Sequence, residues 1–242
     1  MPLVSQNELG GLTEKAWRGL AVDTPVAWGL AKDSNAMVQW LASHDYPFEK
    51  DLLDTLSQVR AQPQIAHDNP LDSGVLIAPL HGLIMLDSLM ADQLTWKGHI
   101  YGINFIIAAM GLLKDATSNA RQNDGQGIVL CQDNSILAMW SGAEIRLSKS
   151  AYSDGAYELH PLTDHTGDAG HANKGVISSS LSSLSALTSL SSLSSLADSK
   201  NDAVTVTQSL WQQLLDYAQN TYVPENEISR NRGAGAGNID ND

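Results

Sequence analysis

The chain has 242 residues, 43% of them hydrophobic and 17% charged, and this length is sufficient to bury a sizeable core in one domain. Its 14 lysines and arginines are outnumbered by 27 aspartates and glutamates, which gives a formal net charge of -13 at pH 7. Since an acidic protein repels phosphate groups, nucleic acid and anionic membranes are excluded as expected partners.

Cysteine content and hydropathy predict a reducing compartment and no membrane span. Cys131 is the single cysteine, so an intrachain disulfide is excluded, and its apolar neighbours predict a small core side chain. The first residues lack the basic and apolar regions of a signal peptide. The most apolar stretches, residues 75–90 and 98–114, are interrupted by polar residues or too short to span a bilayer, so we expect both to be buried core.

The first 60 residues carry patterns typical of three helices. The capping-box pattern Ser5-x-x-Glu8 predicts the start of the first helix, and Gly19 predicts its end. The pair Thr24-Pro25 predicts an N-cap and the first position of a second helix, and a third helix is predicted from about Phe48 to Arg60. The apolar residues expected on the inner faces are Leu9, Leu12, Ala16 and Leu20 in the first helix, Val26, Leu30, Met37, Trp40 and Leu41 in the second, and Leu52, Leu53, Leu56 and Val59 in the third.

The pattern changes to short apolar segments after the third helix. Residues 75–78, VLIA, predict a buried strand, and residues 83–90 predict a helix that follows it. Residues 128–140 have two aliphatic arms around Asp133-Asn134 and predict a β-hairpin. Two further strands of the same sheet are predicted at residues 143–147 and 156–159.

Residues 150–200 differ in composition from the rest of the chain and predict a low-complexity insertion rich in serine and leucine. Within residues 178–196, six leucines from Leu181 to Leu196 recur at every third position. Because an α-helix turns about 100° per residue, such leucines wind around the helix and define no single face. The segment is interpreted as a flexible surface insertion, with an exposed leucine-lined contact element as the alternative.

The C-terminal part returns to regular patterns. Residues 204–206, VTV, predict a strand, and a helix is predicted from about Thr207. Pro224 ends this pattern, and the Gly-rich segment 229–242 follows as a tail. We therefore expect a single α+β domain over residues 1–242, with a helical N-terminal region, a central mixed or antiparallel sheet, and a C-terminal helix with an extended Gly-rich tail.

The tail, SRNRGAGAGNIDND, combines residue types suited to binding an anion. Glycines allow consecutive backbone N–H groups to converge on one ligand, and arginines donate charge-assisted hydrogen bonds to carboxylates and phosphates. The terminal aspartates add oxygen ligands of the kind that Mg²⁺ and Ca²⁺ prefer. A frayed terminus is the alternative interpretation. The ligand-binding candidates are Arg18, Arg230, Arg232, Gly233, Gly235, Gly237, Asp240 and Asp242.

Histidines form two further sets of candidates. His81 and His99 interrupt apolar stretches and are candidates for acid–base catalysis, with satisfied structural positions as the alternative. His160, His165 and His171 lie in a polar, Gly-containing segment and could bind a divalent metal, although their spacing matches no standard metal motif. A solvated polar loop is the alternative there. Motifs for nucleotide binding, zinc proteases and serine hydrolases are absent from the sequence.

The two ends of the chain resemble a bacterial family of uncharacterised proteins, a domain of unknown function. The resemblance implies a bacterial, cytoplasmic protein and brings no catalytic residues with it. If the end motifs recur together, the simplest physical explanation is that the two termini meet and form one site or one packing interface. The motifs that carry the resemblance are NE (7–8), KAWRG (15–19), WGLA (28–31), QWL (39–41), TYVPENEISR (221–230), GAGAG (233–237) and DND (240–242).

Two functions follow as expectations. The first is a small-molecule enzyme or enzyme subunit that holds an anionic metabolite near the C-terminal tail, with no cofactor implied. The second is a non-catalytic module in which the tail, Trp17 and Trp28 form a homo-oligomer or partner interface, because tryptophan and arginine are favoured interface anchors. An enzyme requires a concave pocket with convergent polar groups, whereas an interface requires an exposed apolar patch. Metal binding by the histidine segment is a third hypothesis.

Overall fold

A computed structural model of the chain describes residues 1–20, 28–120, 126–133, 135–141, 144–148, 155–163, 188–189 and 203–221, with the side chains of residues 28, 117–120, 126, 163 and 188–189 excepted. The helices are α1 (Gln6–Leu20), α2 (Trp28–Ser43), α3 (Glu49–Ala61), α4 (Pro70–Ser73), α5 (Ala78–Asp92), α6 (Asn104–Ala120) and α7 (Gln208–Gln219), with a 3-10 turn at Pro63–Ala66. The strands are β1 (Leu3–Ser5), β2 (Val75–Ile77), β3 (Trp96–Tyr101), β4 (Gln126–Gln132), β5 (Ser135–Ser141), β6 (Glu144–Leu147), β7 (Tyr157–Thr163), β8 (Thr188–Ser189) and β9 (Ala203–Thr205). The fold is α+β, as predicted.

Local capping chemistry places the helix starts. The backbone N–H of Glu8 donates to Ser5 Oγ at 3.1 Å, which confirms the predicted start of α1. Thr207 caps α7 in the same way, since its side chain accepts from the N–H of Leu210. The helix α3 lies within one residue of its predicted bounds. The predicted start of the second helix at Thr24-Pro25 lies outside the described residues.

The helix α1 ends at Leu20, one residue after its predicted end at Gly19, and this glycine also makes a close packing contact. One predicted helix start was wrong. The helix after β2 begins at Ala78 and not at residue 83. Pro79 lies in its first turn, where the missing N–H of proline would have no partner in the helix. His81 therefore lies in a helix that directly follows a strand.

Of the described strands, seven form one sheet in the order β2-β3-β7-β4-β5-β6-β8. The strands β2 and β3 are parallel and are connected through α5, and every other neighbouring pair is antiparallel. The predicted hairpin is confirmed as β4 and β5, and Asp133 has the positive φ of 47° that a tight turn favours. The strands predicted at residues 143–147 and 156–159 are confirmed as β6 and the start of β7.

The sheet has two different faces. On the helix face, alternate residues such as Leu130, Trp140 and Leu159 join the main core with α5 and α6. The opposite face, called the outer face below, carries a separate apolar cluster. This outer cluster consists of Val129, Cys131, Ile136, Met139 and Leu162.

The C-terminal part of the chain returns to the N-terminal helices. The strand β9, predicted one residue later in the sequence, pairs antiparallel with β1 through Leu3↔Thr205, Val4↔Val204 and Ser5↔Ala203. The amphipathic helix α7 buries Leu210, Leu214 and Ala218, as its pattern predicts. Among the described helices, none combines the length and the apolar character that a bilayer span requires.

Candidate functional site

The helices α1 and α7 meet closely at Gly19, the last residue of the KAWRG segment. A Cβ atom at Gly19 would overlap the carbonyl oxygen of Tyr217, so only glycine allows the two backbones to approach this closely. The side chain of Asn220 donates from Nδ2 to the carbonyl oxygen of Gly19 at 2.9 Å. The N-terminal segment and the C-terminal helix are thus in contact at the point where the described chain ends, at Thr221.

The helix α3 lies beside α7 and runs in the same direction. At the start of both helices, the Glu49 carboxylate accepts from the backbone N–H of Thr207, at 3.1 Å to Oε1 and 3.2 Å to Oε2. At their ends, the guanidinium carbon of Arg60 lies 5.6 Å from the centroid of the Tyr217 ring, which is cation–π distance. Contacts at both ends fix the spacing of the two helices.

A cavity of about 520 Å³ lies between these two helices. Its lining brings together a guanidinium group, a side-chain amide, two hydroxyl groups and one carboxylate. The lining residues are Ser57, Arg60 and Ala61 of α3 and Gln213, Asp216 and Tyr217 of α7. Four of these six residues, Ser57, Arg60, Ala61 and Asp216, are exposed, so the cavity is a groove that is open to solvent.

Two lining groups lack a hydrogen-bond or salt-bridge partner among the described residues. Within the described part of the chain, no carboxylate lies within salt-bridge distance of the Arg60 guanidinium. The side-chain oxygen Oε1 of Gln213 is buried, and no described group donates to it. A buried polar atom without a partner costs free energy, so a ligand that donates to Gln213 would recover it. Other lining groups are occupied: Ser57 Oγ donates to the carbonyl oxygen of Leu53 at 2.8 Å, and Asp216 Oδ1 accepts from Gln212 Nε2 at 3.0 Å.

Arg18, predicted to bind a ligand together with the tail, is engaged in a different contact. Its guanidinium forms a salt bridge with Glu14 one turn earlier in α1. The same carboxylate accepts from Asn35 Nδ2 of α2 at 3.0 Å, so the pair connects α1 with α2. The other predicted ligand-binding residues, Arg230, Arg232, Gly233, Gly235, Gly237, Asp240 and Asp242, lie outside the described residues, and their role stays a prediction.

The two catalytic candidates lie on different elements. His81 is buried in the first turn of α5, and its Nε2 lies 3.2 Å from the carbonyl oxygen of Ala66. Burial lowers the pKa of His81 below its usual value, and the nearby His67 acts in the same direction. His99 lies in β3, where its ring contacts Tyr101 edge to face at 4.5 Å. The cavity between α3 and α7 is lined by other residues, and a catalytic role for either histidine stays a prediction.

The pKa shift of His81 predicts a loss of stability in acid. Because the folded pKa lies below the ordinary value of 6.5, the unfolded chain binds a proton more readily than the folded chain does. The contribution of neutral His81 to the free energy of unfolding is therefore complete above pH 6.5 and is lost as the pH falls below 6.5. We expect the free energy of unfolding, measured with denaturant, to fall more between about pH 7 and about pH 5 in the wild type than in H81Q, whose amide keeps a donor for Ala66. Parallel pH curves for the two proteins would contradict this assignment.

The metal candidates are only partly described. His160 lies on the outer face in β7, with Nε2 at 3.2 Å from Glu158 Oε2. The carboxylate of Glu158 also accepts from Lys97 Nζ at 2.8 Å, and this hydrogen bond is the main cause of a lowered pKa at Glu158. Across the described ranges, no group of three or more His, Cys, Asp or Glu side chains is placed to hold a metal ion. His165 and His171 lie outside those ranges, so metal binding stays a prediction.

Cys131 is a core residue, as predicted. It is buried in the outer cluster, and burial, together with the neighbouring Glu158, raises the pKa of its thiol to about 11. A thiol with so high a pKa carries little thiolate at neutral pH, so Cys131 is not an activated nucleophile.

Trp17 does not have the exposure expected of an interface anchor. Its side chain is 0% exposed, and its Nε1 donates to Ser34 Oγ of α2 at 2.7 Å. It packs inside the protein because the KAWRG segment faces α2 and α7. The side chain of Trp28 lies outside the described residues. Trp17 is therefore not available as an anchor in the proposed interface.

Sequence reasoning missed the residues that line the cavity. Ser57 and Arg60 are three positions apart in α3, and Gln213 and Tyr217 are four apart in α7, so each pair shares one face of its helix. This spacing could be read from the sequence. The residues near each helix gave no sign that the two helices, about 150 residues apart in the chain, lie side by side.

Comparison with models of protein families, with curated proteins and with solved structures gave no match. The resemblance of the two ends to a bacterial family of uncharacterised proteins stays a prediction.

Proposed function

We propose that the protein binds a small anionic metabolite in the cavity between α3 and α7, as an enzyme or an enzyme subunit. The observation that carries this proposal is Arg60, a cation that lines a cavity of about 520 Å³ without a carboxylate partner among the described residues. Arg60 and Asp216 are the two charged residues of the lining, so a ligand that places its negative group beside Arg60 and away from Asp216 suits the site.

The remaining lining groups restrict the ligand further. The guanidinium of Arg60 matches the geometry of a carboxylate or a phosphate and can form two parallel hydrogen bonds with it. Gln213 Oε1 accepts a hydrogen bond, and the Asp216 carboxylate repels a second negative group. These three lining side chains therefore favour a ligand with an acid group beside Arg60 and a hydroxyl or amino group beside Gln213 and Asp216.

The C-terminal tail starts close enough to take part. Tyr217 lines the cavity, and the described chain ends four residues later at Thr221. Arg230 follows nine residues after Thr221, a length that spans up to about 30 Å when extended. The arginines and glycines of the tail can therefore reach the same ligand. We also propose a cytoplasmic location, which the single buried thiol and the resemblance of the end motifs support.

Removal of the Arg60 charge is expected to weaken ligand binding. We would screen citrate, 2-oxoglutarate, glycerol 3-phosphate and inorganic phosphate by thermal shift and measure the dissociation constant of the most stabilising anion by calorimetry. R60Q should raise this constant by about tenfold or more, because a charge-assisted hydrogen bond contributes about 1.5–3 kcal/mol.

The matched control is K50Q, which removes a positive charge from the same helix. Lys50 pairs with Asp54 on the surface, and its side chain is 87% exposed. K50Q should bind the anion as the wild type does. Equal losses in both variants would indicate a general charge effect, and no response to any anion in the wild type would contradict the proposal.

A further inference from the structure

The cavity between α3 and α7 carries two opposite charges that do not pair with each other. Arg60 of α3 and Asp216 of α7 both line it, and both are exposed. None of the described salt bridges joins them, so their charged groups lie beyond salt-bridge distance of each other. A ligand that carries both an acid group and an amino group can bridge two such charges, because each of its groups then faces the charge of opposite sign.

Arg60 is placed to receive the acid group. Its guanidinium carbon lies 5.6 Å from the centroid of the Tyr217 ring, a cation–π contact that involves the face of the ring and no hydrogen bond. The planar guanidinium can therefore still donate two parallel hydrogen bonds to a carboxylate. Because the contact holds the Arg60 side chain against α7, the acid group of a ligand is expected beside the last turns of the two helices.

The other two polar groups of α7 are suited to an amino group. The Oδ1 atom of Asp216 accepts from Gln212 Nε2 at 3.0 Å, and its Oδ2 atom accepts in none of the described hydrogen bonds. The Oε1 atom of Gln213 is buried and has no described donor. Residues 213 and 216 are three positions apart and share one face of the helix. An ammonium group has three N–H donors and can serve both acceptors, whereas a hydroxyl group donates once and a keto group does not donate.

The ends of the two helices also favour a positive group in the cavity. The helix α3 ends at Ala61 and α7 ends at Gln219, and Ala61 and Tyr217 of these last turns line the cavity. The C-terminal end of a helix carries a partial negative charge, which stabilises cations. A second acid group on the ligand would meet this partial charge and the Asp216 carboxylate, but an ammonium group would be stabilised by both.

We propose that the ligand of this cavity is an amino acid or a similar small amino-carboxylate. Its acid group binds Arg60, and its ammonium group binds Gln213 Oε1 and the Asp216 carboxylate. This assignment rests on the proposed function, in which an acid group binds at Arg60, and it adds the amino group as a second determinant of binding. The protein should therefore prefer an amino acid to the hydroxy acid or oxo acid of the same carbon chain.

Two sets of three compounds test this preference, since the members of each set differ only in the group on the second carbon. The dissociation constants of L-glutamate, L-2-hydroxyglutarate and 2-oxoglutarate would be measured by calorimetry with the full-length protein, and then those of L-2-aminobutyrate, L-2-hydroxybutyrate and 2-oxobutyrate. The wild type should bind the amino compound of a set about fivefold or more tightly than the other two, because a charged donor then meets both acceptors.

The variant D216N identifies the carboxylate that recognises the amino group. It removes the negative charge and keeps an oxygen that can accept from Gln212, and it should abolish the preference for the amino compound. The matched control is D54N, which removes a negative charge from α3 outside the lining of the cavity. Asp54 pairs with Lys50 and its side chain is 60% exposed, so D54N should keep the preference of the wild type.

Each remaining outcome is decisive for the amino group, for the anion site or for both. Equal affinities within each set, with R60Q weakening all of them, would overturn the amino group and leave the anion site in place. A preference that D216N retains would do the same, and so would binding of phosphate or citrate without binding of any of the six compounds. Absence of binding by every one of these anions, or binding that R60Q leaves unchanged, would overturn the anion site and the amino group together.

Discussion

Replacement of Trp17 by alanine should lower the free energy of unfolding by about 3–5 kcal/mol. The Trp17 side chain is 0% exposed and is among the largest fully buried side chains of the described core. Its removal leaves a cavity between α1 and its neighbours and deprives Ser34 of the donor that Trp17 Nε1 provides. Urea or guanidinium unfolding at equilibrium measures the change directly.

W17F separates the two causes of this loss. Phenylalanine keeps much of the ring volume but has no N–H, so the buried hydroxyl of Ser34 loses its partner. We expect W17F to be destabilised by about 1–3 kcal/mol, less than the alanine variant. A loss below about 1 kcal/mol for the alanine variant would mean that Trp17 is not a core residue.

Replacement of Gly19 by alanine should destabilise the protein by about 1–3 kcal/mol, because the added methyl group forces α1 and α7 apart. The atom that a Cβ would overlap is the backbone oxygen of Tyr217, which cannot rotate away as a side chain could. The hydrogen bond from Asn220 to the carbonyl oxygen of Gly19 would also be distorted. Equilibrium unfolding of G19A in denaturant measures this cost.

Gly11 provides the matched control in the same helix. A Cβ at Gly11 meets nothing within 4 Å, so G11A should be neutral or should stabilise the protein by up to about 1 kcal/mol through its better helix propensity. The difference between the two variants isolates the contact between α1 and α7. Similar effects of G19A and G11A would contradict the close approach of the two helices.

The parts of the fold that local chemistry determines were predictable. Ser5 and Thr207 cap α1 and α7 through their own neighbouring backbone N–H groups, so a short window of sequence contains the signal. The hairpin of β4 and β5 is equally local, because its turn and both arms lie within 16 residues. These elements can be predicted without information about which distant residues they contact.

The features without a local signal depend on distant contacts. Gly19 was predicted to end a helix, and α1 ends one residue later, but nothing nearby in the sequence indicated its close contact with Tyr217 near the other end of the chain. The pairing of β1 with β9 and the packing of α3 beside α7 also join residues that are far apart in the sequence. Amphipathic patterns show that a helix has a buried face and do not show which element covers it.

The candidate site was not predicted from the sequence. The end motifs led to the prediction that the two termini meet through the tail, which lies outside the described residues, so that this stays a prediction; the contact of Gly19 with Tyr217 and Asn220 belongs to α7, which precedes the tail. The sequence pointed to the arginines of the tail and gave no sign of Arg60, because an arginine on a helix surface is ordinary. Only the pairing of α3 with α7 gives Arg60 a cavity to line.

The central claim, an anion site between α3 and α7, is tested most directly by nuclear magnetic resonance. The anion that stabilises the protein most in the thermal-shift screen would be titrated into isotopically labelled full-length protein. The largest changes in amide chemical shift are predicted at residues 57–61 and 213–217, with changes in the tail at residues 229–237. Saturable changes confined to other elements, with none at α3 and α7, would contradict the claim.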